Sequence, residues 1–445
     1  MLKNKNKLYQ YTFLLIITLM VIFNGGNNNL YIQFNFIIIS IYFLLFIKEK
    51  NYLAHVQQIF STNKTAIRLY ILFISFSIFQ IIPLPVEWLS FLSPEKYDIL
   101  NKLEFNGNFN AISLSPINSY FNLLNYISLF LFLIIFKSLF YKKNRIFKFY
   151  FFIAFLGAFA AGVAIFFYLT GNPDFLILKN NIYKNYATGF FISRTVFSCF
   201  LTLCFFCGIE YLKMIDYYQK NNTNTFYNKI YIRIFILLIT VGIITTFSRL
   251  GNFLFISLII MYILQTLYKN DKKNRFFLIT LSIIVLFDVL ILGFYFGSEK
   301  LLHRFAFFQN EVSEYLPSSN QSTTSRAELT KFAFIEFKKF IIFGYGGGGF
   351  EYLFKINFHN LSTTFATHAH SDFLEFLGEF GLIGSIFVFL SLTLSCFNKN
   401  FLTFKNLLLC YLLIFILFFD FSFHIPIIQL LFVLLISITY ERADN

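Results

Sequence analysis

The sequence predicts an all-α polytopic membrane protein, and three observations carry the prediction. Hydrophobic residues make up 57% of the 445 and charged residues only 13%. The mean hydropathy is +0.67, and 69 residues are phenylalanine. Continuous apolar runs recur along the chain at lengths that cross roughly 30 Å of hydrocarbon as helices. A soluble domain cannot expose that much apolar surface, whereas lipid is as apolar as the surface it meets. Barrel strands would be about half as long and would alternate, and these runs do neither.

About twelve spans are expected, near residues 8–23, 30–47, 67–83, 120–136, 149–169, 189–211, 230–247, 252–268, 276–296, 372–396, 401–419 and 424–440. They frame three regions: nine spans within 1–296, a long outer loop with an interfacial helix and a Gly-rich turn over 297–371, and three spans within 372–445. The first run follows Lys3, Lys5 and Lys7 as in a signal peptide. The GGNNN after it lacks a small-x-small cleavage pattern, so a retained span is expected.

Lysine and arginine set the orientation. With a cytoplasmic N-terminus, every expected inner segment is basic, and together these segments hold most of the 36 lysines and arginines. Both termini are then cytoplasmic. Basic inner loops facing anionic lipid account for most of the +14 net charge, and no nucleic-acid-binding pattern occurs. All seven prolines and five of the six histidines fall in or beside outer segments, so chemistry is expected on that side. The five cysteines all lie inside expected spans, where small apolar packing is the simplest reading.

Within the first outer loop, Trp88, Phe91 and Leu92 predict a short helix in the membrane interface. Arg194 stands just inside the outer end of the sixth expected span, where a charge must snorkel, pair or line a wet cavity. Arg249 occupies a very short outer link, TTFSRLGN, from which a guanidinium can fork two bonds onto a phosphate. In the long loop, 325–342 reads as a helix along the membrane, and Gly344 with Gly346 to Gly349 as a flexible turn or a backbone approach to a ligand. Those glycines lack the Lys and Ser or Thr of a phosphate-binding loop.

The stretch THAHSDFLEFLGEFGLIG, 367–384, sets His368 and His370 directly before an apolar run. Asp372, Glu375 and Glu379 share one face of the expected helix, with Asp372 and Glu375 placed to satisfy free N–H groups at its start. The expected partners of the deeper Glu379 are Arg194, Arg249 or Arg326.

Taken in order, PLP and LSP, ATGFF with Arg194, FSRLGN with Arg249, Arg326 before GYGGGGF, AHSDFLEFLGEFGLIG and DFSFHIP resemble the bacterial O-antigen ligase and O-antigen polymerase superfamily, which includes related protein O-oligosaccharyltransferases. The resemblance implies transfer of a glycan from an undecaprenyl diphosphate carrier to an acceptor hydroxyl, at the periplasmic face of the inner membrane. It implies that His370 is the functional histidine, that Arg249 helps to hold the donor diphosphate, and that Arg194 and Arg326 are motif arginines.

The residue chemistry agrees with those roles. Such a transfer needs the leaving diphosphate stabilised and the acceptor hydroxyl deprotonated. Arginines supply the first without metal, and a histidine suits the second. No DxD pair occurs, so no metal and no cofactor are expected.

The expected assignment makes His370 the general base of an inverting transfer, with His368 as its rival. Arg249 with Arg194 or Arg326 clamps the diphosphate, and Glu379 orients a basic partner. The expected acceptor is lipid A core; a polymerase extending lipid-linked repeat units is the alternative. A lipid-linked sugar flippase is a weaker one, because the charges cluster on the outer side and no inverted halves are evident.

Overall fold

The computed structural model describes residues 2–173, 184–218, 223–269, 326–357, 366–396 and 403–438. Among these the protein is an all-α polytopic membrane protein with sixteen α-helices. Its only sheet among them is one short antiparallel pair, β1 (Leu84–Pro85) with β2 (Phe109–Asn110). Eight helices are long and apolar enough to cross a bilayer. The span expected at 276–296 and much of the long outer loop lie outside the described residues.

The described residues form two compact units. The first holds α1 (Leu2–Ile22), α8 (Lys143–Leu169), α9 (Arg194–Tyr218), α10 (Thr223–Thr245) and α11 (Arg249–Lys269). Helix α9 is its core, almost wholly buried, because α8, α10 and α11 all pack on it. Two bonds fix the α9–α11 register: Tyr262 Oη donates to Glu210 Oε1 at 2.9 Å, and Lys213 Nζ donates to Gln265 Oε1 at 2.7 Å. Both join residues 52 apart, so α9 and α11 run parallel. The sixth span was expected from 189, but its helix opens only at Arg194, after a non-helical stretch with Gly189 at φ +56°.

The second unit holds α2 (Asn29–Ile47), α3 (Lys50–Thr62), α4 (Lys64–Ile81), α5 (Val86–Leu92), α6 (Pro94–Lys102), α7 (Pro116–Leu139), α12 (Arg326–Lys339), α13 (Phe350–Asn357), α14 (Asp372–Cys396), α16 (Pro426–Ser437) and most of α15 (Phe404–Phe419). Helix α3 was not foreseen in the sequence. The expected interfacial helix is α5, with Trp88 and Phe91 at 59% and 88% exposure. Helices α15 and α16 are shorter than the spans expected for them.

Helices α4 and α14 pair through Phe73, Phe76 and Phe380 and a bond from Ser391 Oγ to Ala66 O at 2.8 Å. The long-loop helix expected at 325–342 is α12. It buries Leu329, Phe332 and Ala333 against Tyr345, α13 and Ala369, and leaves Phe334 and Ile335 exposed.

One continuous helix was expected over 372–396. Helix α14 instead breaks at Gly381, whose φ of +59° and ψ of −169° are open to glycine and strained for other residues. Beyond the break, Leu382 N and Ile383 N donate to Ile341 O and Ile342 O at 2.8 and 3.3 Å. A spanning helix tolerates such a break where neighbouring protein satisfies the freed backbone groups. The nine residues before it, 372–380, form a separate helical segment that carries all three carboxylates.

Candidate active site

The centre of the second unit's site is that short first segment of α14. Asp372, Glu375 and Glu379 are all buried on it. Each finds partners in a different neighbouring segment. Asp372 accepts from Phe423 N at 2.6 Å through Oδ2 and is hydrogen-bonded to His424 Nδ1 through Oδ1. Glu375 accepts from Ala369 N at 2.8 Å through Oε2, and its Oε1 lies 3.0 Å from His368 Nδ1. Glu379 Oε1 accepts from Gly348 N at 2.5 Å.

His424 joins the three. Its Nε2 is 3.5 Å from Glu375 Oε1 and 3.9 Å from Glu379 Oε2. Burial alone would depress this imidazole, but Glu375 and Asp372 beside it more than reverse that and hold it well above the ordinary histidine range. The partly buried His424 is therefore biased toward its protonated, imidazolium form. His368 lies over it, ring centroids 4.8 Å apart, and stacks on Phe421 at 5.2 Å.

His370 is set differently. Its backbone sits in the left-handed region at φ +54°, a conformation costing about 1–3 kcal/mol for a residue with a side chain. The neighbours that impose it are fixed: Ala369 O accepts from Thr330 Oγ1 at 3.3 Å, and Asp372 N donates to Asp420 O at 3.1 Å. The His370 ring meets Phe421 edge-on, and its buried Nδ1 has no hydrogen-bond partner. Burial, then the charge of Arg326 and the neighbouring His368, push it down to about 4, against a small opposing pull from Glu375. It is a neutral base at physiological pH.

Asp420, at the C-terminal end of α15, is bonded by Ser422 Oγ through one oxygen, while its other, Oδ1, is buried without a partner. Burial raises it to about 6. Arg326 opens α12, is exposed, and acts electrostatically on both His370 and Asp420.

The Gly-rich stretch 344–349 was expected as a flexible turn or a ligand cradle, and it is packed against protein backbone instead. Gly346 N donates to Glu379 O at 2.9 Å and Tyr345 N to Gly378 O at 2.9 Å. Ser119 Oγ donates to Gly347 O at 2.9 Å, and Leu114 N to Tyr345 O at 2.9 Å. Gln80 Nε2 bridges Phe343 O and Glu379 O at 2.6 and 2.9 Å.

Within the second unit, Glu379 is partnered by Gly348 N–H and, at longer range, by His424. A peptide N–H can reach a buried carboxylate without carrying a long charged side chain into the interior, and an imidazolium does so on a short stem. Asp372 and Glu375 do serve backbone N–H groups, but those of Phe423 and Ala369, outside their own helix.

In the first unit, Arg194 and Arg249 are the opening residues of α9 and α11. The register of 52 residues sets Arg249 level with the first turn of α9, so both arginines lie at the same end of that unit. Two parallel helix N-termini add their positive dipole ends there, which favours an anion. The Arg194 guanidinium lies over the Tyr186 ring, 4.3 Å from its centroid.

Sequence reading did not assign roles to His424, Asp420, Gln80 or the Gly348 N–H. DFSFHIP held a signal for the first two: an acid and a histidine four apart between apolar runs, closed by a proline that starts a helix. Nothing in the sequence marked Gln80 or a peptide group.

His368, Glu375 and His424 place donor atoms within 4.8 Å of one another, the donor types and spacing that one cation could use. Each imidazole already has carboxylate partners, however, and His424 itself supplies positive charge at the centre of the carboxylates.

Residues 234–389, about a third of the chain, match the family model described as O-antigen ligase. No curated protein and no solved structure matches the chain. The matched segment contains Arg249, Arg326, His370 and Glu379, and over that segment the protein is similar to the O-antigen ligase family.

Proposed function

We propose that the protein is a metal-independent, inverting glycosyltransferase that moves a glycan from undecaprenyl diphosphate to a hydroxyl of lipid A core. The reaction takes place at the periplasmic face of a bacterial inner membrane, with both termini cytoplasmic. The observation that carries this reading is His370: a neutral imidazole on a strained backbone, with an unpartnered nitrogen, between the Arg326 charge and a buried carboxylate cluster. Strain at a fixed position of this kind is characteristic of working sites.

In this reading His370 takes the proton of the acceptor hydroxyl as that oxygen bonds to the anomeric carbon. The bond from that carbon to the diphosphate oxygen breaks on the opposite face, which inverts the centre. The diphosphate leaves as an anion, and Arg249 with Arg194 or Arg326 stabilises it. Glu379 is fully buried and acts by holding Gly348 and His424 in place.

The test is an in-vitro reaction with purified protein, undecaprenyl diphosphate glycan and lipid A core, with EDTA and His370→Ala as controls. Core-linked product that survives EDTA and is lost in the variant supports the proposal. Longer glycan on the carrier would make the protein a polymerase. Loss of product with EDTA would overturn metal independence, and passage of donor across the bilayer without any product would favour a flippase.

A further inference from the structure

His424 lies outside the segment that matches the ligase family and has no part in the proton transfer described above. Its surroundings are nevertheless the most unusual in the described residues. One imidazole reaches all three buried carboxylates of α14: Asp372 by a hydrogen bond at Nδ1, and Glu375 and Glu379 at 3.5 and 3.9 Å from Nε2.

Those last two carboxylates each hold a backbone segment of the site. Glu375 fixes Ala369 N and His368, the two residues before the strained His370. Glu379 fixes Gly348 N and so the Gly-rich turn. Glu379 Oε2 is buried and has no hydrogen-bond partner, leaving the N–H of His424 as the nearest cationic donor to it. Without a central cation, three anions on successive turns of one buried helix segment would repel one another and spread.

We propose that His424 is a positioning residue: a fixed internal imidazolium that draws Glu375 and Glu379 together, and through them sets His370 and the Gly-rich turn in their working geometry. This deepens the transfer reading and rests on it only for the kinetic part of the test.

The groups facing His424 are Asp372, Glu375 and Glu379 from α14 and His368 from the loop before it. Tyr126 of α7 and Tyr345 of the Gly-rich turn act on the same carboxylates, and Asp420 stands behind Phe421 on the segment that carries His424. Anions dominate this set. Loss of the His424 proton at high pH therefore disperses the cluster.

The test compares wild type, His424→Gln and Asp372→Asn in the transfer assay across pH. A single misplaced group in a site costs on the order of 10²-fold in rate. The expected result for His424→Gln is a kcat loss of that order with KM for the lipid donor almost unchanged. Wild type should also lose activity on the alkaline side as His424 deprotonates, a limb absent from His424→Gln. Asp372→Asn should move that limb to lower pH, because one anion holding the proton is gone. A role in packing alone would lower the amount of active protein without shifting the limb.

A second readout needs no activity. Nitrogen NMR of histidine-labelled protein at pH 8 should show an imidazolium, both ring nitrogens protonated, that is missing from His424→Gln and becomes neutral at lower pH in Asp372→Asn. Wild-type kcat and pH profile in His424→Gln, or a neutral imidazole at pH 8, would overturn the proposal. So would wild-type activity lost to EDTA and restored by one divalent cation, which would put a metal at the centre of the cluster. If no acceptor yields product, the transfer reading fails and the nitrogen spectrum still decides the charge on His424.

Discussion

The main-chain N–H of Gly348 donates to Glu379 Oε1 at 2.5 Å, joining the Gly-rich turn to the deepest carboxylate of α14. A second link runs beside it. Gln80 Nε2 holds Phe343 O and Glu379 O together, so α4, the turn before Gly344 and the α14 backbone meet at one side chain.

Gln80→Leu removes that bridge while keeping most of the volume. Glu379 O retains its bond from Gly346 N, but Phe343 O loses its donor in a partly buried place. The expected loss of stability is about 1–3 kcal/mol, the cost of one unsatisfied buried polar group. Thermal unfolding in detergent measures it, and an unchanged midpoint would show that the bridge contributes nothing.

Gly344→Ala should be more damaging. Gly344 has φ +72°, and a Cβ there would lie 2.3 Å from Glu379 O and 2.6 Å from Gly381 N, both backbone atoms that cannot swing aside. Strain and overlap together predict a loss above about 2 kcal/mol. Gly162→Ala is the control: a Cβ there meets nothing within 4 Å, and the helix should gain up to about 1 kcal/mol. Equal midpoints for the two variants would contradict the close approach at Gly344.

The two histidines before α14 should separate in kinetics. His370→Ala is expected to lower transfer by about 10²–10⁴-fold, the range for loss of a general base. His368→Ala should cost less, because His368 is held by Glu375 and Phe421 and acts through the cluster. With His370 titrating near 4, wild-type activity should rise with pH through that value and be flat above it until the alkaline limb. Abolition by His368→Ala with His370→Ala still active would exchange the roles.

Stability should carry two opposite pH dependences from this site. His370 titrates near 4 when folded and near 6.5 when free, so between those values the unfolded chain binds more protons and stability is lost as pH falls. Asp420 titrates near 6 when folded and near 3.8 when free, so its contribution is lost as pH rises over that window. Each has a limiting slope of about 1.4 kcal/mol per pH unit. Unfolding midpoints of His370→Gln should therefore gain on wild type as pH drops from 6.5 to 4, and those of Asp420→Asn as pH rises from 3.8 to 6. Parallel curves for all three proteins would refute both shifts.

Much of the architecture is legible in the sequence alone. Helical spans were readable because lipid imposes a length and a polarity on every crossing, and both are local properties. The same holds for α5 and α12, whose apolar and charged residues face different surroundings. His368, His370 and the carboxylates of 372–379 stood out because ionisable residues are costly beside a membrane and seldom occur there without cause.

Other features depended on contacts between distant segments. The break at Gly381 was hidden because glycine fits a helix as well as a kink, and only the carbonyls of Ile341 and Ile342 show which is used. The partners of Glu379 within the second unit were hidden for a related reason. Composition points to the strongest available charge, an arginine, while packing brings up a peptide N–H and an imidazole.

By itself, then, the sequence determined that this protein spans a membrane many times, and which short stretch around the start of α14 carries its unusual polar groups. Only the tertiary structure decided how those groups are partnered: His424 against three carboxylates, Gly348 against Glu379, His370 strained between fixed neighbours. Hydrophobicity is a sum over adjacent residues and can be read along a line, whereas a hydrogen bond between residues far apart in the chain exists only once the intervening chain has folded back.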